Sequence, residues 1–278
     1  MVILTSAAKI QRPFSGRVIF DHLPKTAGTS VNRWLIEALG DGNVSDIVTG
    51  LHRSALHRYG GQYCLITGHL DFINAEGLDP RWQYTTILRD PIDRALSWLY
   101  YVTKHYSADT LPGTYQACKQ FIESDGEIVA GIIYPSISNM YVSHFSRILG
   151  RGDESETIRL ANSQAALDQY DLVGIVEDYE GFTKQLAQLL NLTHEPPIRI
   201  FNRTEGRPEL EETSDALRHA LKQLNNLDCM LFETTKQRVR EGLWDQSSLE
   251  PCETEIVTIA KTPRSLRQSD AIKLSDID

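Results

Sequence analysis

Seven consecutive residues, Pro24-Lys25-Thr26-Ala27-Gly28-Thr29-Ser30, combine one lysine with small side chains and three hydroxyls. Such a set can cradle a phosphate. Small residues let an anion approach the backbone N–H groups, hydroxyls add donors, and Lys25 adds a full positive charge. This chemistry needs a strand that turns tightly into a helix, because the free amides and the positive end of the helix dipole then converge on one point. The flanks supply both elements. Val18-Ile19-Phe20 is a β-branched and aromatic run of the buried-strand type. Val31, Trp34, Leu35, Ala38 and Leu39 have the spacing of one helix face, and Gly40 follows as a stop. Thr29 or Ser30 is expected to cap that helix as well. The loop is not a Walker A sequence, which requires glycines where this chain has Ile19 and Pro24.

A second cation stands where another strand ends. Tyr84 to Leu88 (YTTIL) reads as that strand, and Arg89 leaves it as a fixed guanidinium able to grip phosphate with two bonds. Asp90 at the N-cap, Pro91 at the first helical position and Asp93 in the first turn then start a helix. Ile92, Ala95, Leu96 and Leu99 form its apolar stripe. Ser97 is expected to lie away from that stripe, with its hydroxyl offered to the same ligand. Arg89 also has a structural option, pairing with Asp90 or Asp93. Taken with the cradle, Arg89 and Ser97 suggest a nucleotide carrying phosphates at two distant positions.

The remaining reactive group is a histidine. The run Gln62 to Thr67 (QYCLIT) reads as a strand that ends in Gly68-His69. An imidazole, whose ordinary pKa is about 6.5, can take a proton from an attacking hydroxyl near neutrality. His69 is the leading candidate base. His22, His52, His57 and His105 compete for the role.

These elements need a common frame. Strand and helix signals alternate along the chain, with helices expected over Tyr115 to Glu123, Ser136 to Leu149, Glu156 to Tyr170 and Glu211 to Glu241, the last breaking near Asn225-Asn226. Leu172 to Val176 (LVGIV) is a further strand, followed by a helix carrying Phe182, Leu186 and Leu189. Asp41 to Tyr59 reads as loop with at most a short helix. This alternation predicts an α/β, P-loop-like three-layer fold, a central and mainly parallel sheet flanked by helices. In such sheets ligands sit beyond the carboxyl ends of the strands, where the cradle, His69 and Arg89 all fall. The expected organisation is an extension over 1–16, one domain over 17–244 and a polar tail over 245–278.

Composition narrows the class. With 37 acidic against 28 basic residues and a net charge of −9, the chain lacks the basic balance of a general nucleic-acid binder. It carries no apolar run near the ~20 residues of a membrane span. No signal peptide is read at its start, so a cytoplasmic location is expected. The cysteines at 64, 118, 229 and 252 have no metal-ligand spacing. No metal site is expected.

The motifs resemble those of sulfotransferases that use 3′-phosphoadenosine 5′-phosphosulfate (PAPS). HLPKTAGTS is similar to their 5′-phosphosulfate loop and RDPIDRALSWLYY to their 3′-phosphate motif. The carbohydrate branch that includes heparan sulfate 2-O-sulfotransferases is the nearest in pattern. TGHLDF, DLVGIVEDYEGFTKQL and FNRTEGRP match its later segments in order, so the resemblance spans roughly Val18 to Glu241. The resemblance implies PAPS as donor, in-line transfer of a sulfuryl group to an acceptor hydroxyl, and no metal. It implies Lys25, Thr26, Ala27, Gly28, Thr29 and Ser30 around the 5′ end, Arg89 and Ser97 at the 3′-phosphate, and Arg203 and Thr204 over the nucleotide. His69 would be the base and Lys25 would steady the leaving phosphate. The heparan enzymes carry His-Gly-His where this chain has Thr67-Gly68-His69, so only His69 carries over. The paired cysteines of those enzymes are absent as well. With basic residues scattered, the expected acceptor is a neutral glycan, a glycolipid or a small hydroxylated metabolite. Two other classes stay open: a kinase using a nucleoside triphosphate and Mg²⁺, with Asp178 as its distant metal carboxylate, and a sensor that binds PAPS or its desulfated product without turnover.

Overall fold

The computed structural model describes residues 12–73, 75–192 and 206–246. Arg203 and Thr204, and the tail beyond 246, lie outside the described residues. Five strands form one all-parallel sheet in the order β2-β3-β1-β4-β5. They are β1 (Val18–Asp21), β2 (Val48–Leu51), β3 (Leu65–Asp71), β4 (Gln83–Leu88) and β5 (Leu172–Ile175). The central strand β1 is buried at every position, as expected for a parallel strand covered on both faces. The described residues contain no helix long and apolar enough to cross a membrane.

Helices cover both faces. On one side α1 (Gly28–Leu39) follows β1, and α8 (Tyr179–Leu189) follows β5. A Cβ on Gly174 of β5 would stand 2.3 Å from Phe182, so only glycine lets α8 come this close. On the other side lie α2 (His52–Tyr59), α6 (Met140–Leu149) and α7 (Glu156–Leu167). The sheet and these helices share one core, built from Ile19, Phe20, Leu35, Ile66, Phe145 and Phe182 among others. A second core joins α3 (Pro91–His105), α4 (Pro112–Glu123) and α9 (Asp215–Leu224) through Leu96, Leu99, Phe121 and Leu221. The short α5 (Tyr134–Ile137) adds Ile137 to it, and α10 (Asn226–Arg240) packs on α6, α7 and β5.

Several expectations change. The segment 41–59 contains an edge strand and a helix where mostly loop was expected. The predicted helix from Ser136 to Leu149 is two helices, parted at Asn139, whose φ of 41° breaks the spiral. Strand β3 begins three residues later than expected and runs on through His69 to Asp71, so His69 lies within a strand and not after its end. Gln246, the last described residue, is fully buried, its amide donating to Asp171 O at 2.9 Å, so packing extends past Asp245.

Candidate functional site

The cradle is a strained turn between β1 and α1. Lys25 and Ala27 both have positive φ, 68° and 64°, which costs an L-residue roughly 1–2 kcal/mol each. Left-handed residues alternating with right-handed ones curl a loop so that its amides point inward, the geometry of an anion-binding nest. Ala27 is the residue before α1, and no side chain caps that helix. Neither Thr29 nor Ser30 therefore caps it as expected, because the helix begins at Gly28, before either residue. Thr26 is fully buried and its hydroxyl donates to Leu23 O at 2.9 Å, shaping the turn from within. Gly28 is dictated by packing: a Cβ there would sit 1.8 Å from the His22 ring.

The register of the sheet sets the histidine. Asp21 pairs with Gly68, so β1 stops one residue short of His69. The chain turns at His22, whose N–H donates to Gly68 O at 2.9 Å. His69 Nδ1 hydrogen-bonds the His22 carbonyl oxygen. A carbonyl only accepts, so Nδ1 carries the proton and Nε2 is left with its lone pair. The His22 and His69 rings lie 4.6 Å apart. Burial holds the His22 pKa down to about 3, with the neighbouring His69 acting in the same direction, so His22 stays neutral and enclosed. His52 has both ring nitrogens engaged, with Glu76 at 2.9 Å and Tyr84 OH at 2.7 Å, on the opposite face of the sheet. His57 is exposed on α2, and His105 ends α3. Among these histidines, His69 alone combines partial exposure with a nitrogen freed beside the cradle.

Cations gather on the other side of the loop. Asp90 caps α3 as expected, accepting from the Ile92 and Asp93 amides at 3.0 and 2.9 Å. Arg89 grips Asp93 with Nε at 2.6 Å and Nη2 at 2.5 Å, the structural pairing foreseen for it, while Nη1 reaches Lys25 O at 3.4 Å. Arg207, which the sequence reading did not name, hydrogen-bonds the same carboxylate and has only 5 % of its side chain exposed. Lys25 completes the group. Burial, then Arg89, then Arg207 lower its pKa to about 8. Asp93 thus holds two guanidiniums, with Glu209 at 3.8 Å from Arg207 as a looser second partner, next to a lysine that both cations disfavour. A dianionic phosphate would relieve that repulsion far better than Asp93 does.

Helix α3 presents Asp93, Ser97 and Tyr101 at four-residue intervals, one above the other. Ser97 is 3 % exposed and lies between the Arg89–Asp93 pair and Tyr101. As expected it stands off the apolar stripe, but it is covered rather than open, and its hydroxyl forms no hydrogen bond among the described residues. Behind the sheet, the buried Asp21 carboxylate accepts from His144 Nε2 and Tyr170 OH, each at 2.7 Å. These bonds tie the end of β1 to α6 and to the approach to β5, on the face away from the cradle. Asp178, the metal carboxylate of the kinase alternative, is used as the cap of α8, accepting from Gly181 N at 3.2 Å. The described residues contain no group of three or more His, Cys, Asp or Glu side chains suited to a metal.

A cleft of about 780 Å³ lies elsewhere, between α2 and residues 76–82. Its Arg53 and Arg81 are already paired with Glu76 and Asp79 at 3.3 and 2.6 Å. Arg17, its third arginine, lies over the Trp82 ring, so the cations of this cleft are engaged and the polar chemistry points to the loop. Comparison with protein-family models and with curated proteins gives no match.

Proposed function

We propose that this chain is a PAPS-dependent sulfotransferase acting on a hydroxyl of a neutral acceptor, a glycan, glycolipid or small metabolite of the cytoplasm. The observation that carries the reading is the meeting of Lys25, Arg89 and Arg207 at the loop beside the free Nε2 of His69. On this reading the cations recognise the anion and His69 is the base, on either side of the end of β1. The motif order that resembles the sulfotransferases supports the same conclusion.

PAPS supplies an activated sulfuryl group, whose bond to the 5′-phosphate breaks as the acceptor oxygen bonds to sulfur. His69 Nε2 takes the acceptor's proton, and the His22 carbonyl steadies the imidazolium through Nδ1–H. Lys25 and the amides at the start of α1 meet the charge that grows on the departing phosphate. Arg89 and Arg207 hold the 3′-phosphate, and Ser97 stands beneath it as a donor. The products are the sulfate ester, 3′-phosphoadenosine 5′-phosphate (PAP) and a proton.

Acceptor-dependent release of PAP from PAPS tests this reading. Release that depends on an acceptor and persists in a chelator is expected. Turnover of ATP with a Mg²⁺ requirement would establish the kinase instead, and binding of PAP with no turnover on any acceptor would establish the sensor.

A further inference from the structure

The sheet is not level at its carboxyl end. Strand β1 stops opposite Gly68, while β2 pairs with β3 from Gly68 to Asp71. The last residues of β2 and β3 therefore project past the central strand as a two-stranded wall. Register partners in a parallel sheet share a face, and residues two apart along a strand do too. Thr49 is the partner of His69 and Leu51 the partner of Asp71, so these four side chains stand together. It is also the face on which the His22 ring meets His69.

Among the described residues this face of the wall is open, α2 packing on the same two strands from the other side. Thr49 and Asp71 are exposed, and Leu51 is 45 % exposed, although it ends a sheet strand. Ile47 and Ile73, just before and just after the paired residues, are 41 % and 38 % exposed. The charge pattern is one-sided. Asp71 makes no ion pair among the described residues, and no cation stands among the residues of this face.

We propose that this wall is the acceptor platform and that it selects an uncharged amphiphile, a hydroxylated head joined to an apolar body. This inference rests on the reading of His69 as the base. The head group's hydroxyl reaches His69 Nε2, Thr49 offers it a hydrogen bond, and the apolar body lies along Leu51. Asp71 repels an anionic head at close range, where salt screens little. A long sulfated chain fits neither the apolar edge nor the carboxylate.

The test uses octyl β-glucoside below its micelle concentration and octyl β-glucuronide as its anionic counterpart, each titrated into PAP-saturated protein. Wild-type protein is expected to bind the glucoside at least tenfold more tightly than the glucuronide. Leu51→Asp should weaken glucoside binding at least tenfold with PAP affinity and melting temperature unchanged. Asp71→Asn should narrow the gap between the two probes. Absence of glucoside binding, equal binding of both probes, or a Leu51→Asp change within twofold overturns the platform while leaving the donor site intact. Failure of PAP itself to bind removes the underlying reading, and the platform falls with it.

Discussion

The ammonium of Lys25 lies 3.9 Å from the centre of the Tyr101 ring, on its face. Tyr101 thus gives the half-buried lysine a partner that carries no negative charge, leaving it to be neutralised by a ligand. Such a contact contributes about 0.5–2 kcal/mol, enough to aim the side chain without holding it against a phosphate.

A pH dependence follows from this pair. Lys25 is charged below its lowered pKa of about 8 and loses its charge as pH rises through that value. An arriving anion favours the charged form, so PAP binding near pH 8 should take up protons. PAP affinity should therefore fall above pH 8, and Lys25→Arg should remove the break. Calorimetry in buffers of different ionisation enthalpy measures the proton uptake directly. A flat profile from pH 7 to 9 would place Lys25 away from the ligand.

Arg89→Ala, Arg207→Ala and Ser97→Ala should each weaken binding of PAP more than binding of adenosine 5′-phosphate. A lost charge-assisted contact costs about 1.5–3 kcal/mol, and the neutral Ser97 hydroxyl less, about 0.5–1.5 kcal/mol. Dissociation constants for both ligands on each variant give the comparison. Equal losses would assign these residues to something other than the 3′-phosphate.

His69→Ala should bind PAP almost as wild type does, yet turn over ~10²–10⁴-fold more slowly, the usual contribution of a positioned base. His22→Ala should have a smaller effect on the same rate, because His69 is oriented by the main-chain oxygen of residue 22 and not by its ring. A slow His22 variant beside a fast His69 variant would exchange their roles.

Gly28→Ala forces a methyl group into the His22 ring, 1.8 Å from its nearest atom. Overpacking of this kind typically costs ~1–3 kcal/mol. A lower melting temperature and loss of PAP binding are expected together. An unchanged melting temperature with normal binding would mean that the turn adapts and that the strained cradle is not needed.

Much of this arrangement is legible in the chain itself, for local reasons. The cradle and the start of α3 announce themselves because strand pattern, turn chemistry and caps fall within a few residues of each other. Strand β2 does not, since Val48–Leu51 is only four residues, includes Gly50 at a φ of 133° and lies at an edge with alternate residues exposed. Ser97 is buried although it lies off α3's apolar stripe, so the helix's own pattern gives no sign of it. Arg207 meets Asp93 across 114 residues of sequence, a pairing with no local signature. A cation in the FNRTEGRP segment, just after Gly206 with its φ of 70°, was the available hint.

The most direct test of the donor site is a titration of wild-type protein with PAP, adenosine 5′-phosphate and ADP, each with Mg²⁺ and with a chelator. With Lys25 and the loop amides at the 5′ end and Arg89 and Arg207 at the 3′ end, the ligand with phosphates at both ends should be selected, so PAP should bind at least tenfold more tightly than either competitor, regardless of Mg²⁺. Binding of ADP with Mg²⁺ as tight as that of PAP, or no gain from the 3′-phosphate, would contradict it.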